Sequence, residues 1–367
     1  MKPVFLFPKD SSGFFDPSSS ITFGGATVQL HAIAGELHAQ GAEITALIPD
    51  YTLLASGNRP AYPAREAYRT ASALPVKIFS LVSALSHEKP DCVIMRGISP
   101  LTLPFALLLS AMGIRSVLMF AHDVETDGFY QNIRKRYYLF GLLIRIVNIL
   151  VCQNLNQKSN LPEVVQDKVI IFKKGVDTAD FYRPETEKVY DALWIGRCEK
   201  WKNPEQFITL ADTSKKLRFV MVCAPGSDSE YHETIMKTAR DRENILLFER
   251  VSNPECVLLL QQTKIFVLTS ESEGDWPMTV LEAAAAGVPI VSLYINIEDS
   301  LETYQFGLYC HENIDRMRSA VHELVEDEQK WSIMSHNARS FMSSVHNIHG
   351  NAVALLDELE RAISKPR

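Results

Sequence analysis

The hydrophobic pattern alternates between two kinds of segment along the chain. Short apolar runs predict buried β-strands, and several segments between them carry apolar residues three or four positions apart, as in an amphipathic helix. One such segment is Ala26–Gln40, which has Leu30, Ile33 and Leu37 on its apolar face and is closed by Gly41. Strands separated by helices predict an α/β fold, in which parallel sheets carry helices on both faces. The predicted strands are Val4–Phe7, Glu43–Ile48, Cys92–Met95, Ser116–Phe120, Ile149–Cys152, Val169–Phe172, Ala192–Ile195, Phe219–Cys223, Ile245–Phe248, Ile265–Leu268 and Ile290–Leu293.

The predicted strands fall into two sets, and this favours two domains. A chain of 367 residues exceeds what one ordinary hydrophobic core supports. The polar stretch Lys174–Tyr190, with Gly175 and Pro184, separates the sets and predicts the junction. We therefore expect one domain over residues 1–182 and a second over 183–344. The amphipathic C-terminal segment, about residues 345–367, is a candidate to pack back on the first domain.

The net charge and the cysteine content restrict the expected classes of binding partner and the expected cellular compartment. Lys and Arg number 37 against 44 Asp and Glu, a net charge of −7, which argues against nucleic acid as the main partner. The six cysteines are widely spread and form no CxxC pair, which favours a reduced, cytoplasmic compartment over a disulfide framework. The start of the chain, MKPVFLFP, becomes polar too soon for a signal peptide.

Two apolar stretches, Leu101–Ala111 and Tyr137–Cys152, raise the question of a membrane. Neither reaches the roughly 18–20 apolar residues that a transmembrane helix needs, so buried helices are the favoured interpretation. The second stretch follows Arg134, Lys135 and Arg136. Two interpretations of this basic segment therefore remain. It makes a weak peripheral contact with anionic lipid at the inner face of the membrane, or it is a basic turn before a buried helix.

The stretch Thr269–Gly287, TSESEGDWPMTVLEAAAAG, is the most informative part of the sequence. It follows a predicted strand and places Glu273 and Gly274 before a tight turn. A second carboxylate, Glu282, follows in an alanine-rich helix. Ligands of open α/β sheets bind at the carboxyl ends of the strands, and a helix N-terminus favours anions. We therefore expect a ligand site here.

Four further segments combine turn residues with polar side chains. Paired glycines before the first long helix allow close approach of a ligand, although such pairs are also ordinary turns. A histidine directly after a strand suits a polar contact with substrate as well as a structural role. A glycine followed by an arginine and lysines suits a phosphate as well as a solvated loop. The segments are Phe23-Gly24-Gly25-Ala26, Ala121-His122-Asp123, Trp194–Lys202 and Lys174–Asp177.

Several common site motifs are absent from the sequence. It has no GxxxxGK[ST] phosphate loop, no HExxH or clustered Cys/His set, no GxSxG elbow and no closely spaced DxD. A site without a metal ion or a cofactor is therefore favoured.

Five segments, in order, resemble the retaining glycosyltransferases of family 4, also called glycosyl transferases group 1. They are FGGATVQLHAIAGEL, AHD, KKGVDTADFYRP, IGRCEKWKNPEQFI and SESEGDWPMTVLEAAAAGVPIV, from about Phe23 to Val291. The resemblance implies the GT-B fold, in which two Rossmann-like, doubly wound domains face each other across a cleft. The first domain is expected on the acceptor side, and the second is expected to bind the donor.

The resemblance also implies roles for individual residues. Glu273 matches the first glutamate of a paired motif, near the donor sugar, and Glu282 matches the second, which binds the ribose. Arg197 and Lys202 match the basic pair that neutralises the donor diphosphate, and His122 matches a histidine that contacts the sugar. His122, Arg197, Lys202 and Glu273 are thus the expected catalytic residues. The remaining expected donor-binding residues are Gly24, Gly25, Gly274, Asp275, Trp276, Pro277, Met278, Thr279 and Val280.

The sequence departs from the family pattern at three places. One extra residue, which we assign to Asp275, lies between the two glutamates and leaves Glu271 as a second candidate for the role of Glu273. Lys174 stands where asparagine is usual, and Asn203 stands where a glycine usually follows the lysine.

The expected function is a retaining, metal-independent glycosyltransferase that moves a sugar from a UDP- or GDP-sugar to a hydroxyl. A glycan or lipid-linked acceptor fits synthesis of surface polysaccharide, lipopolysaccharide or another glycoconjugate. Another GT-B enzyme, such as a sugar-nucleotide epimerase or a phosphorylase, is an alternative. A two-domain binding protein without catalysis is a second.

Overall fold

The structure is a computed structural model, and it describes residues 1–16, 25–55, 59–128, 134–179 and 181–364, with only the backbone for 134–137. These residues form two compact units, which are Met1–Lys174 with Ile348–Arg367, and Gly175–Asn347. We call them unit 1 and unit 2. Each is an α/β domain around a parallel sheet.

In unit 1 the described strands form a seven-stranded sheet in the order β3-β2-β1-β4-β5-β6-β7, with every neighbouring pair parallel. The strands are β1 (Pro3–Leu6), β2 (Thr45–Ile48), β3 (Ala64–Glu66), β4 (Cys92–Arg96), β5 (Arg115–Met119), β6 (Ile149–Cys152) and β7 (Val169–Ile171). The helices are α1 (Ser12–Phe15), α2 (Gly25–Ala39), α3 (Leu74–Glu88), α4 (Thr102–Ala111), α5 (Arg134–Ile146), α6 (Leu155–Asn160) and α7 (Glu163–Gln166).

In unit 2 the described strands form a six-stranded sheet in the order β10-β9-β8-β11-β12-β13, again all parallel. The strands are β8 (Tyr190–Arg197), β9 (Phe219–Ala224), β10 (Ile245–Phe248), β11 (Thr263–Leu268), β12 (Ile290–Ser292) and β13 (Gly307–Tyr309). The helices are α8 (Pro204–Thr213), α9 (Ser229–Arg240), α10 (Asn253–Gln261), α11 (Met278–Ala285), α12 (Ser300–Thr303), α13 (Ile314–Glu326) and α14 (Glu328–Val345). A last helix, α15 (Ile348–Ile363), belongs to unit 1, where it packs on α2.

Successive residues of a strand point to opposite faces, and this builds two core layers in each unit. In unit 2, Trp194 and Val267 lie in the layer on one face, whereas Leu193 and Phe266 lie in the layer on the other. Both faces of the central strands are therefore buried, which explains why they read as continuous apolar runs.

The boundary between the units lies at Lys174–Gly175 rather than at residues 182 and 183. Val176 forms a parallel bridge with Asn347 and packs in the core of unit 2, and Phe181 packs against the same core. These two apolar anchors hold the segment after Gly175 on the second sheet, although its polar composition looks like a linker. The cleft expected between the domains stays a prediction.

Among the helices that the structure describes, none combines the length and the apolar character that a bilayer crossing requires.

Candidate functional site

Lys202 and Glu273 meet at the carboxyl edge of the unit 2 sheet. Lys202 lies in a 3₁₀ turn after β8, and Glu273 lies in the loop after β11, the neighbouring strand. Their side chains form an ion pair and are only 15% and 8% exposed. The ammonium of Lys202 also lies 4.4 Å from the centre of the Trp201 ring. The structure thus brings together the lysine and the first glutamate that the sequence predicted for one site.

Neutral hydrogen bonds join the loop after β8 to the loop after β11 around this ion pair. Thr269 Oγ1 donates to the carbonyl of Lys202 at 2.7 Å and accepts from Trp194 Nε1 at 2.9 Å. The amide of Glu271 donates to the carbonyl of Trp201 at 2.8 Å. Because these contacts fix backbone atoms on both loops, the positions of Lys202 and Glu273 are set by the scaffold.

Asn203 takes the backbone conformation that explains the glycine usual at this position. Its φ is 47° and its ψ is 53°, in the left-handed region that glycine adopts freely and asparagine tolerates better than most residues. Its side chain also donates to Glu271 Oε1 at 2.9 Å. Asn203 therefore preserves the turn in which the family usually has glycine. Its hydrogen bond also gives Glu271, the alternative candidate for the role of Glu273, a structural contact.

Arg197 ends β8 and is 58% exposed, with the carboxylate of Glu199 at 3.9 Å. Glu199 in turn accepts from the amide and the hydroxyl of Ser227, at 3.0 and 2.7 Å. The loop after β9 is pressed against this turn, because a Cβ on Gly226 would lie 2.0 Å from the carbonyl oxygen of Cys198. Arg197 is thus an exposed cation on a fixed turn at the carboxyl edge of the sheet.

The turn between the two glutamates is more buried than the sequence suggested. The Trp276 side chain is 1% exposed, its Nε1 donates to Ser300 Oγ at 3.0 Å, and its ring makes an edge contact with Phe306 at 6.0 Å. Asp275 is 3% exposed. The ring of Trp276 is therefore part of the hydrophobic core, which leaves its backbone as the part that a donor can contact, and its donor-binding role stays a prediction. Gly274 is buried and Pro277 is partly exposed beside it.

Helix α11 begins directly after this turn, with Pro277 as its N-cap and no side-chain cap hydrogen bond. The amide of Val280 donates to the carbonyl of Pro277 at 3.0 Å, and the Val280 side chain is fully buried. The amide of Val280 is thus used within the turn, and its side chain is part of the core. The amides of Met278 and Thr279 remain as the first-turn donors for an anion at the positive end of the helix dipole.

Glu282 lies in the second turn of α11 and is largely withdrawn from solvent. Desolvation raises the pKa of its carboxyl to about 7. Burial raises the pKa of the Cys256 thiol of α10, and the nearby Glu282 carboxylate adds to that rise. No hydrogen bond to the Glu282 carboxyl is formed by the part of the chain that the structure describes. A desolvated carboxyl of this kind is suited to accept hydrogen bonds from a ligand.

In unit 1, His122 follows β5 and precedes a 3₁₀ turn, Asp123–Glu125. Glu125 is buried and accepts from the amides of Ala121, Ile98 and His122, at 2.6, 2.6 and 3.4 Å. Burial raises the pKa of Glu125, and the three amides oppose that shift. Glu125 therefore joins the loop after β4 to the loop that carries His122.

The backbone conformation explains a glycine in the adjacent loop after β4, because its φ lies in the left-handed region that glycine adopts freely. Gly97 has a φ of 76°, and a Cβ there would lie 3.6 Å from Glu125 Oε1. Sequence reasoning missed both Glu125 and Glu199, although each follows a predicted strand end by a few residues. The signal that could have found them is a carboxylate close in sequence to a predicted site residue, His122 for Glu125 and Arg197 for Glu199.

The paired glycines are only partly covered by the structure. Gly25 is the first residue of α2, and a Cβ there would meet nothing within 4 Å. Gly24 lies outside the described residues. Over those described ranges, no cluster of three or more His, Cys, Asp or Glu side chains could hold a metal ion.

Most of unit 2 matches the model of a known protein family. The model of the family Glycosyl transferases group 1 matches residues 177–341, which covers nearly all of unit 2. This region is therefore similar to the domain of group 1 glycosyltransferases. The resemblance read from the sequence motifs is confirmed at that level, and family 4 within the group stays a prediction. A search of curated proteins gave no significant match.

Several solved structures share the fold over the whole chain. Anabaena HepE in complex with UDP-glucose has a TM-score of 0.76 at 14% identity, over 98% of this chain and 100% of that one. A glycosyltransferase from Rickettsia africae has a TM-score of 0.76 at 13% identity, over 100% and 99%. Sucrose-phosphate synthase from Thermosynechococcus elongatus has a TM-score of 0.74 at 11% identity, over 98% and 99%. At these identities the likeness concerns the fold, and it confirms the predicted GT-B architecture of two Rossmann-like domains.

Proposed function

We propose that this chain is a retaining glycosyltransferase that moves a sugar from a nucleotide-sugar donor to a hydroxyl of an acceptor. The observation that carries the proposal is the convergence of Lys202, Glu273 and the start of α11 at the carboxyl edge of one parallel sheet. Open α/β sheets bind ligands at this edge. The match of this region to group 1 glycosyltransferases supports the same conclusion.

The proposed site addresses the charge that develops during transfer. As the bond from C1 to the diphosphate breaks, positive charge grows on the sugar and negative charge grows on the departing phosphate. Lys202, the exposed Arg197 and the amides of Met278 and Thr279 would receive that negative charge. Preorganised contacts of this kind are typically worth about 2–4 kcal/mol each in a protected site. The cations then supply without a metal ion what a divalent cation supplies elsewhere.

Glu273 would serve the sugar side of the donor. In the free protein it is the ion-pair partner of Lys202, so it holds the lysine in place until a diphosphate arrives. The diphosphate is a stronger partner for the ammonium, and Glu273 then accepts hydrogen bonds from sugar hydroxyls. Because neither glutamate is assigned as a nucleophile, we propose attack by the acceptor hydroxyl on the face that the diphosphate leaves. This geometry retains the configuration at C1.

The nucleotide is proposed to be anchored by Glu282. A ribose offers two adjacent hydroxyl donors, and the Glu282 carboxyl is a desolvated acceptor with no hydrogen bond from the described residues. UDP-sugars are the first donors to test, because the similar fold of HepE was solved with UDP-glucose. GDP-sugars remain the second choice.

The acceptor is proposed to be a lipid-linked or other amphiphilic glycan precursor at the cytoplasmic face of a membrane. A cavity of about 460 Å³ at the carboxyl ends of β1 and β4 has a mainly apolar lining, to which Lys9, Lys77, Arg96, Asp10 and Glu125 add charged groups. It shares Ile98–Pro100 with an apolar cavity of about 510 Å³ between α4 and α5. A polar head in the first cavity and an apolar tail in the second would use both. The exposed apolar side chains of α5, such as Leu139 at 53%, would then face lipid.

The test is a thermal-shift screen of the full chain with UDP-, GDP- and ADP-sugars. One class should raise the melting temperature, and Glu282→Ala should abolish that rise. A matched control is Glu230→Ala, because Glu230 is an exposed residue of the first turn of α9 in the same unit. If none of the sugar nucleotides shifts the melting temperature, the proposal fails.

The pH dependence of donor binding should report Glu282 directly. Its raised pKa, about 7, means that it is largely protonated below neutrality in the free protein. Ribose hydroxyls donate to the ionised form, so affinity for UDP-glucose should fall about tenfold as the pH drops from 8 to 6. The diphosphate of UDP-glucose has no proton to gain in this range. Titration calorimetry at pH 6, 7 and 8 measures the effect.

The control for this pH effect is Glu282→Gln, which should bind UDP-glucose more weakly and with a flat pH profile. In the free protein the same raised pKa lowers stability as the pH rises from the ordinary value of 4.5 to about 7, because ionisation becomes costly. An equal pH slope in the wild type and in Glu282→Gln would contradict the assignment of Glu282.

A further inference from the structure

Unit 2 also contains a cavity lined by charged residues, and this one lies at the amino edge of its sheet. It has a volume of about 490 Å³, and α14 supplies one wall with Trp331, Ser335 and Arg339. Lys188, which precedes β8, supplies another part of the wall. Trp331 Nε1 donates to the carbonyl of Lys264 near the start of β11, at 2.8 Å, and this fixes the cavity at the strand beginnings. Lys202 and Glu273 lie after the ends of the same two strands.

Arg339 is a partly buried residue that lines this cavity. Its Cζ lies 3.9 Å from the centre of the Tyr182 ring, and its Nε is buried without a hydrogen bond. The stem of Arg339 is held against the chain, because a Cβ on Gly287 would lie 3.3 Å from Arg339 Cδ. The guanidinium is thus fixed in position while one of its donors has no acceptor.

Lys188 supplies a second desolvated cation. Its ammonium donates to the carbonyl of Gln261 at 2.8 Å and lies 5.6 Å from the centre of the Trp331 ring. Burial lowers the pKa of Lys188 to about 8. Within residues 181–364, neither Lys188 nor Arg339 forms an ion pair, and no acidic side chain lines the cavity. An anion bound there would stabilise the charged form of Lys188 and accept from Arg339 Nε.

We propose that this cavity binds a phosphorylated small molecule, at a site separate from the donor region. Arg339 and Lys188 line the same cavity as two cations that can bind phosphate oxygens, and the hydroxyl of the buried Ser335 adds a neutral donor. The volume exceeds that of a single phosphate, so there is room for a sugar or a second phosphate beside it. The proposal does not depend on the function proposed for the donor region.

The test uses pyrophosphate as the probe, with the full chain and saturating UDP to fill the donor region. Calorimetry should detect binding of pyrophosphate, and the affinity should fall about tenfold in Lys188→Met and in Arg339→Met. Lys216→Met and Arg240→Met are matched controls, because both side chains are exposed and lie outside the cavity. Arg339→Lys retains the charge and shows whether a loss in Arg339→Met reflects misfolding.

Three results would overturn the site. The first is pyrophosphate binding that Lys188→Met and Arg339→Met leave intact. The second is equal loss in the Lys216→Met and Arg240→Met controls. The third is equal affinity for citrate at the same ionic strength, which would show that the cavity does not select phosphate.

Discussion

Lys202→Met should lower the rate of sugar transfer by about 10²–10³-fold, because it removes the cation placed at the departing diphosphate. The Lys202 ammonium is largely buried, so no mobile cation from solvent replaces it fully. Initial rates of nucleoside diphosphate release measure the effect. Lys200→Met is the matched control, since Lys200 lies in the same turn, is 73% exposed and pairs with Asp228 at 3.1 Å. That control should retain activity within a few-fold.

Loss of activity in Lys202→Met must be separated from loss of the fold. Glu273 is 8% exposed, and without Lys202 its charge is left unpaired, which lowers stability. The double variant Lys202→Met, Glu273→Gln removes that buried charge. It should melt closer to the wild type and stay inactive. Transfer at the wild-type rate by either variant would contradict the role of Lys202.

Trp276→Ala should lower the free energy of unfolding by about 3–5 kcal/mol, the typical cost of truncating a buried aromatic residue. The ring is 1% exposed and packs on Phe306, and its Nε1 donates to Ser300. Chemical denaturation measures the change. Trp276→Phe keeps a ring and loses the hydrogen bond, so it should cost less.

Donor binding distinguishes the two interpretations of Trp276. Because the ring belongs to the core, Trp276→Phe should bind UDP-glucose within a few-fold of the wild type, well below its melting temperature. Unchanged stability with abolished donor binding would return Trp276 to the donor site.

Most strands could be predicted from the sequence, and the failures have a common cause. The run Ile149–Cys152 has the predicted bounds because it is buried along its whole length. Ile245–Phe248 also has the predicted bounds, although it is an edge strand and its Leu246 is 42% exposed. The strands Ala64–Glu66 and Gly307–Tyr309 were missed. Both lie at sheet edges and are three residues long, so they carry no apolar run that could reveal them.

The candidate site was predictable where it depends on strand ends. Lys202 and Glu273 follow two strands that lie side by side, so their meeting follows from the topology. The burial of Trp276 was not predictable, because its partners Ser300 and Phe306 come from a distant part of the chain. Glu125 was missed for a similar reason, since its three amide donors come from two loops.

The decisive measurement is nucleoside diphosphate release from a nucleotide sugar by the full chain, with and without an extract of lipid-linked glycans. We expect release to depend on the acceptor, to match the glycosylated product one to one, and to disappear in Lys202→Met. The product should keep the configuration of the donor at C1. Epimerised donor without release of diphosphate, or no turnover of any UDP-, GDP- or ADP-sugar, would contradict a glycosyltransferase.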